Sequence, residues 1–170
     1  MEGRVYYLCR VRLNGEGSFV AWSPGEPDSF LRDAANRLLV ARNPEALMTA
    51  TRSLGVTQVG GEPTDYDLDR IREWCAVPEA GGVDCPAFLN AWNFFDDLAG
   101  LHGGADTPYT RLSREAAGCY DKLFWGNNLS AVTPPGERFT PSWEPDELDR
   151  IRRVMAAGLE LVEAEMSGSR

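Results

Sequence analysis

The chain has 170 residues, 43% of them hydrophobic and 10% aromatic, and a net charge of -9. That length suits one domain with a substantial core, residues 1–170, and the composition excludes a disordered chain. The acidity disfavours nucleic acid and anionic membranes as partners, and no stretch approaches the run of about 18 apolar residues that a membrane helix needs.

The first element in chain order is a strand. Val5, Tyr7, Cys9, Val11 and Leu13 alternate with Arg4, Tyr6, Leu8, Arg10 and Arg12, the period of two expected of a half-buried strand. Asn14-Gly15-Glu16-Gly17 is a turn signal, so residues 18–22 are expected to return as the second strand of a hairpin. After the Pro-rich break at 23–27, Asp28 or Ser29 is placed to cap a helix to about Arg42, with Phe30, Ala34, Leu38 and Ala41 on one face. Asn43-Pro44 starts another helix that Gly55 ends, and residues 56–59 form a short third strand stopped by Gly60-Gly61.

Thr64 or Asp65 then caps a helix through Leu68, Ile71 and Trp74, with Asp65, Asp67 and Asp69 in its first turn, where the helix dipole favours negative charge. The phrase Leu-Asp-Arg-Ile-Arg occurs at 68–72 and again at 148–152, and is read as two separate answers to one helix-start problem. Asp84-Cys85-Pro86 opens the most apolar helix, whose Phe88, Leu89, Trp92, Phe94, Phe95 and Leu98 mark it as central and buried. A loop at 100–106 leads to a single long helix from Thr107-Pro108 to Gly126. Gly126 or Asn127 is expected to take the left-handed conformation that closes it. A proline-rich loop precedes the last helix, which carries Leu148, Ile151, Met155, Leu159 and Val162 and frays from about residue 167. The expected fold is α+β and predominantly helical: five to six helices packed with a small N-terminal antiparallel sheet of two or three strands.

Cys9, Cys75, Cys85 and Cys119 show no C-x-x-C pair, and His102 is the one histidine, so neither a metal nor a cofactor is expected. Cys75 and Cys85 flank a loop that a bridge would close, but four buried, reduced thiols fit the expected compartment better. The start, Met1-Glu2-Gly3-Arg4, lacks the order of a secretion signal, which points to the cytoplasm. Sixteen of the seventeen basic residues are arginine, as a GC-rich genome would give. No glycine-rich stretch has nucleotide-binding spacing, and no nucleophile sits in a recognisable elbow.

Three places have the residue types for a site. Asn90, Asn93 and Asp97 share one face of the central helix, where they suit hydrogen bonding to a small ligand or, with Asp96, holding a cation; the plain alternative is a solvated polar strip. His102 lies close in sequence to Asp96, Asp97 and Asp106, the arrangement of a base oriented by a carboxylate, although a histidine after a helix also serves to bond its last carbonyls. Trp125, Asn127 and Trp143, with Asn128 and Phe139, make an aromatic and amide patch suited either to protein recognition or to clamping the Pro-rich loop.

Residues 43–107 hold eleven acids against three bases, so nearly all the excess charge lies in the middle of the chain. The expected function is therefore an acidic cytoplasmic binding protein that engages a basic protein partner, of the immunity-inhibitor or adaptor kind, with no catalytic residue assigned. The alternative is a small hydrolase or transferase, or a small-molecule binder, with a cleft beside the central helix at Asn90, Asn93, Asp97 and His102.

Overall fold

Strands β1 (Tyr6–Leu13) and β2 (Glu16–Ser23) form the expected hairpin, paired from Tyr7↔Trp22 to Leu13↔Glu16. Asn14 and Gly15 are both left-handed at the turn, as a tight type I′ connection requires. The computed structural model describes residues 4–103 and 106–168. The first three residues, which entered the reading of a secretion signal, the middle of the loop after the central helix and the last two residues lie outside that range.

The sheet is larger than expected and mixed. Its order is β3-β2-β1-β4, four strands rather than two or three, and β4 (Val59–Asp67) runs parallel to β1. The strand expected over 56–59 is not there except for Val59, where β4 begins; β4 runs on through both glycines that were expected to end it, with a register shift between Tyr7 and Cys9 of β1. Asp65 and Asp67 therefore belong to a strand and not to a helix start. They lie across from Arg10 and Arg12 and pair with them, Arg10 Nε to Asp65 at 2.5 Å and Arg12 to Asp67 at 3.7 Å. Cross-strand charge matching accounts for the basic face of β1.

No helix forms over 28–42. Short β3 (Ser29–Phe30) pairs with β2, Leu31 N–H donates to the Ala21 carbonyl, and Phe19 and Ala41 exchange backbone hydrogen bonds. The turn between is held by the Asp33 carboxylate, which accepts from the backbone N–H of Ala35 and Arg37, with Asn36 left-handed. A period of two decides the outcome. Phe30, Leu38 and Val40 face the main core, while Leu31, Leu39 and Ala41 face the other side of the sheet, and Ala34 is exposed.

Helix α1 (Pro44–Ser53), capped by Asn43, covers that second face through Leu47, packed with Leu8, Ala21 and Leu31. The other helices cover the first face. Helix α2 (Leu68–Ala76) is capped by Asp67 rather than Thr64 or Asp65, and is followed by a 3₁₀ turn at Ala80–Gly82. Helix α3 (Cys85–Gly100) is central as expected: Phe88, Trp92, Phe95 and Leu98 are almost wholly removed from solvent, each such burial worth about 1.5–3 kcal/mol.

The expected long helix is two, α4 (Pro108–Glu115) and α5 (Ala117–Gly126). The break is at buried Ala116, which leaves helical geometry at φ -101°, ψ 17°. Helix α6 (Pro145–Ser167) packs on α3, α4 and α2. It stays helical through Ser167, and the Gly168 carbonyl accepts from Arg37. All four cysteines are free. Among the described residues no helix is long and apolar enough to cross a membrane.

Candidate functional site

Where the open end of the sheet meets α3 there is a cleft of about 510 Å³, lined by Trp22, Asp28, Tyr66, Asn90, Asn93, Phe94, Asp96 and Asp97. Alternation along the strands builds one wall. Trp22 on β2 and Tyr66 on β4 point to the same sheet face as Cys9 and Val11, towards α3. Phe94 supports Tyr66 from below at a ring separation of 4.6 Å, and Tyr7 backs Trp22 at 6.3 Å. Helical spacing builds the other wall, since Asn90, Asn93 and Asp97 share a face and Asp96 flanks it. Asp28 reaches in from the loop before β3, its carboxylate also accepting from the Gly25 N–H at 2.7 Å.

Each carboxylate is held by neutral donors. Trp22 Nε1 donates to Asp97 Oδ2 at 2.9 Å, and the Tyr109 hydroxyl donates to Asp96 Oδ1 at 2.7 Å, with Ser113 Oγ at 3.3 Å from the same oxygen. Tyr120 donates to Asn93 Oδ1 at 2.8 Å. No ion pair among the described residues involves Asp28, Asp96 or Asp97; the Arg4 guanidinium donates to the Ser29 hydroxyl at 2.6 Å and the Pro27 carbonyl at 3.3 Å, on either side of Asp28.

The electrostatic result is a strained cluster. Burial pushes the Asp97 carboxyl up to about 6, opposed by the Trp22 hydrogen bond and reinforced by the charges of Asp28 and Asp96. Burial also raises Asp96 against the hydrogen bonds from Tyr109 and Ser113. Behind the wall Tyr66 and the Cys9 thiol share a hydrogen bond, and burial holds the thiol up at about 12, so it stays protonated. Among the described residues no three His, Cys, Asp or Glu side chains are grouped as metal ligands would be.

The structure thus brings Asn90, Asn93 and Asp97 together and leaves His102 out. The His102 ring is exposed, and its Nε2 lies 2.7 Å from Glu165 on α6, while Asp106 pairs with Arg111. Trp22, Asp28 and Tyr66 were not legible as site residues, because each reaches α3 across a long stretch of chain. The one available signal was the Pro-rich break that sets Asp28 at a loop end.

Trp125, Asn127 and Trp143 form a separate region. Trp125 is 49% exposed, whereas Trp143 is half-buried and packed on the core beneath Lys122, whose Nζ lies 5.6 Å from its ring centre. Lys122 also reaches Glu147 at 2.7 Å and the Ser142 carbonyl at 3.1 Å, so the lone lysine fastens the Pro-rich loop to α5 and α6.

The helix closes differently from expectation. Asn127 is right-handed, and Asn128 is the left-handed residue at φ 50°. The Asn128 side-chain amide exchanges two hydrogen bonds with the Phe139 backbone, at 2.9 and 2.7 Å. Gly126 is needed for space, since a Cβ there would stand 2.5 Å from Cys85 Sγ. Comparison with protein-family models, with curated proteins and with solved structures found no match to this chain.

Proposed function

We propose that the protein is a binding protein whose acidic cleft receives a cationic side chain of a basic protein partner. One observation carries this reading: Asp28, Asp96 and Asp97 line one cleft, and none of them is in an ion pair among the described residues. The cleft volume lies within the range of about 300–1,000 Å³ of small-ligand sites. An arginine or lysine head entering it would meet carboxylates already oriented by Trp22 and Tyr109, and the Trp22 and Tyr66 rings suit cation–π contact. Net negative charge over the middle of the chain would speed the encounter. The expected immunity-type or adaptor role is compatible with such capture. The hydrolase or transferase alternative required His102 in the same cleft, and its ring is engaged by Glu165 instead.

Isothermal titration of the full chain with a hexa-arginine peptide tests the reading. Saturable binding that weakens with added salt, and at least tenfold with Asp28→Asn plus Asp97→Asn, is expected. Binding unchanged by the double variant, or no binding at low salt, would overturn it.

A further inference from the structure

We infer that the exposed apolar surface at the end of α5 and along the Pro-rich loop docks a second copy of this chain across a two-fold axis, independently of the acidic cleft.

Four of the eight large apolar side chains that stand exposed among the described residues fall between positions 125 and 139: Trp125, Leu129, Val132 and Phe139. The segment that presents them is built. The Trp125 ring stands edge-on to Phe124 at 5.4 Å. The Asn128 side-chain amide donates to the Gly126 and Phe139 carbonyls, at 2.9 Å each, which sets Phe139 beside the end of α5. The Val132 and Thr133 N–H groups both donate to the Leu129 carbonyl, at 3.0 and 2.9 Å, so Leu129 and Val132 belong to one turn. A second turn is closed by the Glu137 N–H on the Pro134 carbonyl at 3.1 Å, with Pro135 and left-handed Gly136 at its centre, as a type II turn requires. A preformed surface docks at little cost in ordering entropy.

Charge selects the occupant. The chain is 25% charged, yet residues 123–143 hold one acid and one base, Glu137 and Arg138, so the whole net charge of -9 lies elsewhere. Depletion of charge around exposed aromatics is the composition of an interface core. A basic partner finds no acidic excess on this stretch, and an anionic lipid surface is repelled by the rest of the chain. Glu137 and Arg138 are both exposed, and neither is in an ion pair among the described residues. A two-fold axis sets the stretch against its own copy, so that Glu137 of one protomer can meet Arg138 of its partner. The surface is complementary to itself.

Sedimentation equilibrium of the full chain over about 5–500 μM, in about 50 and 500 mM sodium chloride, tests this. A reversible monomer–dimer equilibrium is expected, and it should tighten with salt, which screens the repulsion between two bodies of charge -9. Cation capture by the cleft weakens with salt, so the two surfaces respond with opposite sign. Trp125→Ser with Phe139→Ser should weaken the dimer about tenfold or more at an unchanged thermal midpoint. Val77→Ser, at another exposed apolar position, should leave it intact. Should the double variant lower the midpoint, Val132→Glu carries the test, because it puts a like charge on both copies and should also weaken the dimer. A monomer throughout, a dimer that loosens with salt, or one that survives the loop variants overturns the self-docking surface and leaves cation capture standing.

Discussion

The Trp22 indole N–H donates to Asp97 Oδ2 at 2.9 Å and joins β2 to α3 across 75 positions of chain. The bond orients the Asp97 carboxylate and fixes the indole that forms the opposite wall. Trp22→Phe keeps most of the ring and deletes the donor. It should cost about 0.5–1.5 kcal/mol and raise the Asp97 titration further, because that hydrogen bond favours the ionised form. Urea denaturation and a carboxyl NMR titration of the variant measure the two effects.

Asp97 binds its proton more tightly in the folded protein, at about 6, than at its ordinary value of 3.8. Between those values the folded state holds more protons than the unfolded chain, so this group's contribution makes stability fall as pH rises through that window. Glu147 and Glu163 act in the opposite sense. The Glu144 backbone N–H and Lys122 lower Glu147, and Arg72 and Asn14 lower Glu163; both contribute stability above the ordinary 4.5 that is lost as pH falls. Asp97→Asn should therefore raise stability at neutral pH by about 1 kcal/mol, a value that discounts the shift for solvent around a half-exposed carboxyl. The acid limb should be unchanged. Denaturation curves from about pH 4 to pH 7 separate the two limbs.

Gly158 on α6 lies against the Phe95 ring of α3, where a Cβ would overlap the ring. Gly158→Ala should destabilise by about 1–3 kcal/mol through overpacking, despite alanine's better helix propensity. Thermal unfolding by circular dichroism checks the sign; an unchanged or higher midpoint would mean that the two helices separate at little cost.

Asn128→Ala removes both hydrogen bonds to the Phe139 backbone and places alanine at a left-handed position. Faster amide exchange over 129–139 is expected, with no effect on hexa-arginine binding. Weaker peptide binding would move the recognition surface from the cleft to the Trp125 region.

The elements legible in the sequence were those whose period is set by one packing face. The β1–β2 hairpin, α1, α3 and the start of α6 lie where their apolar spacing and caps place them. Residues 28–42 misled because Phe30, Leu38 and Ala41 fit a helical stripe, whereas pairing with β2 sets Phe30 and Leu38 on one face and Ala41 on the other. Asp65 and Asp67 misled in the same way, since acids before a helix resemble a helix start until Arg10 and Arg12 are seen across the sheet. Half of the cleft was legible. The Asn90, Asn93 and Asp97 face follows from spacing alone, while the wall of Trp22, Tyr66 and Asp28 exists only once the sheet has closed over α3.

The most direct test of the central claim is an NMR titration of the isotope-labelled full chain with N-acetyl-arginine amide, watched at the Trp22 indole N–H. Cation capture predicts a saturable shift at Trp22 and at the Asn90 and Asn93 side-chain amides, absent with N-acetyl-glutamine amide and lost in Asp28→Asn/Asp97→Asn. Equal shifts with both compounds, or none at Trp22 while another surface responds, would contradict it.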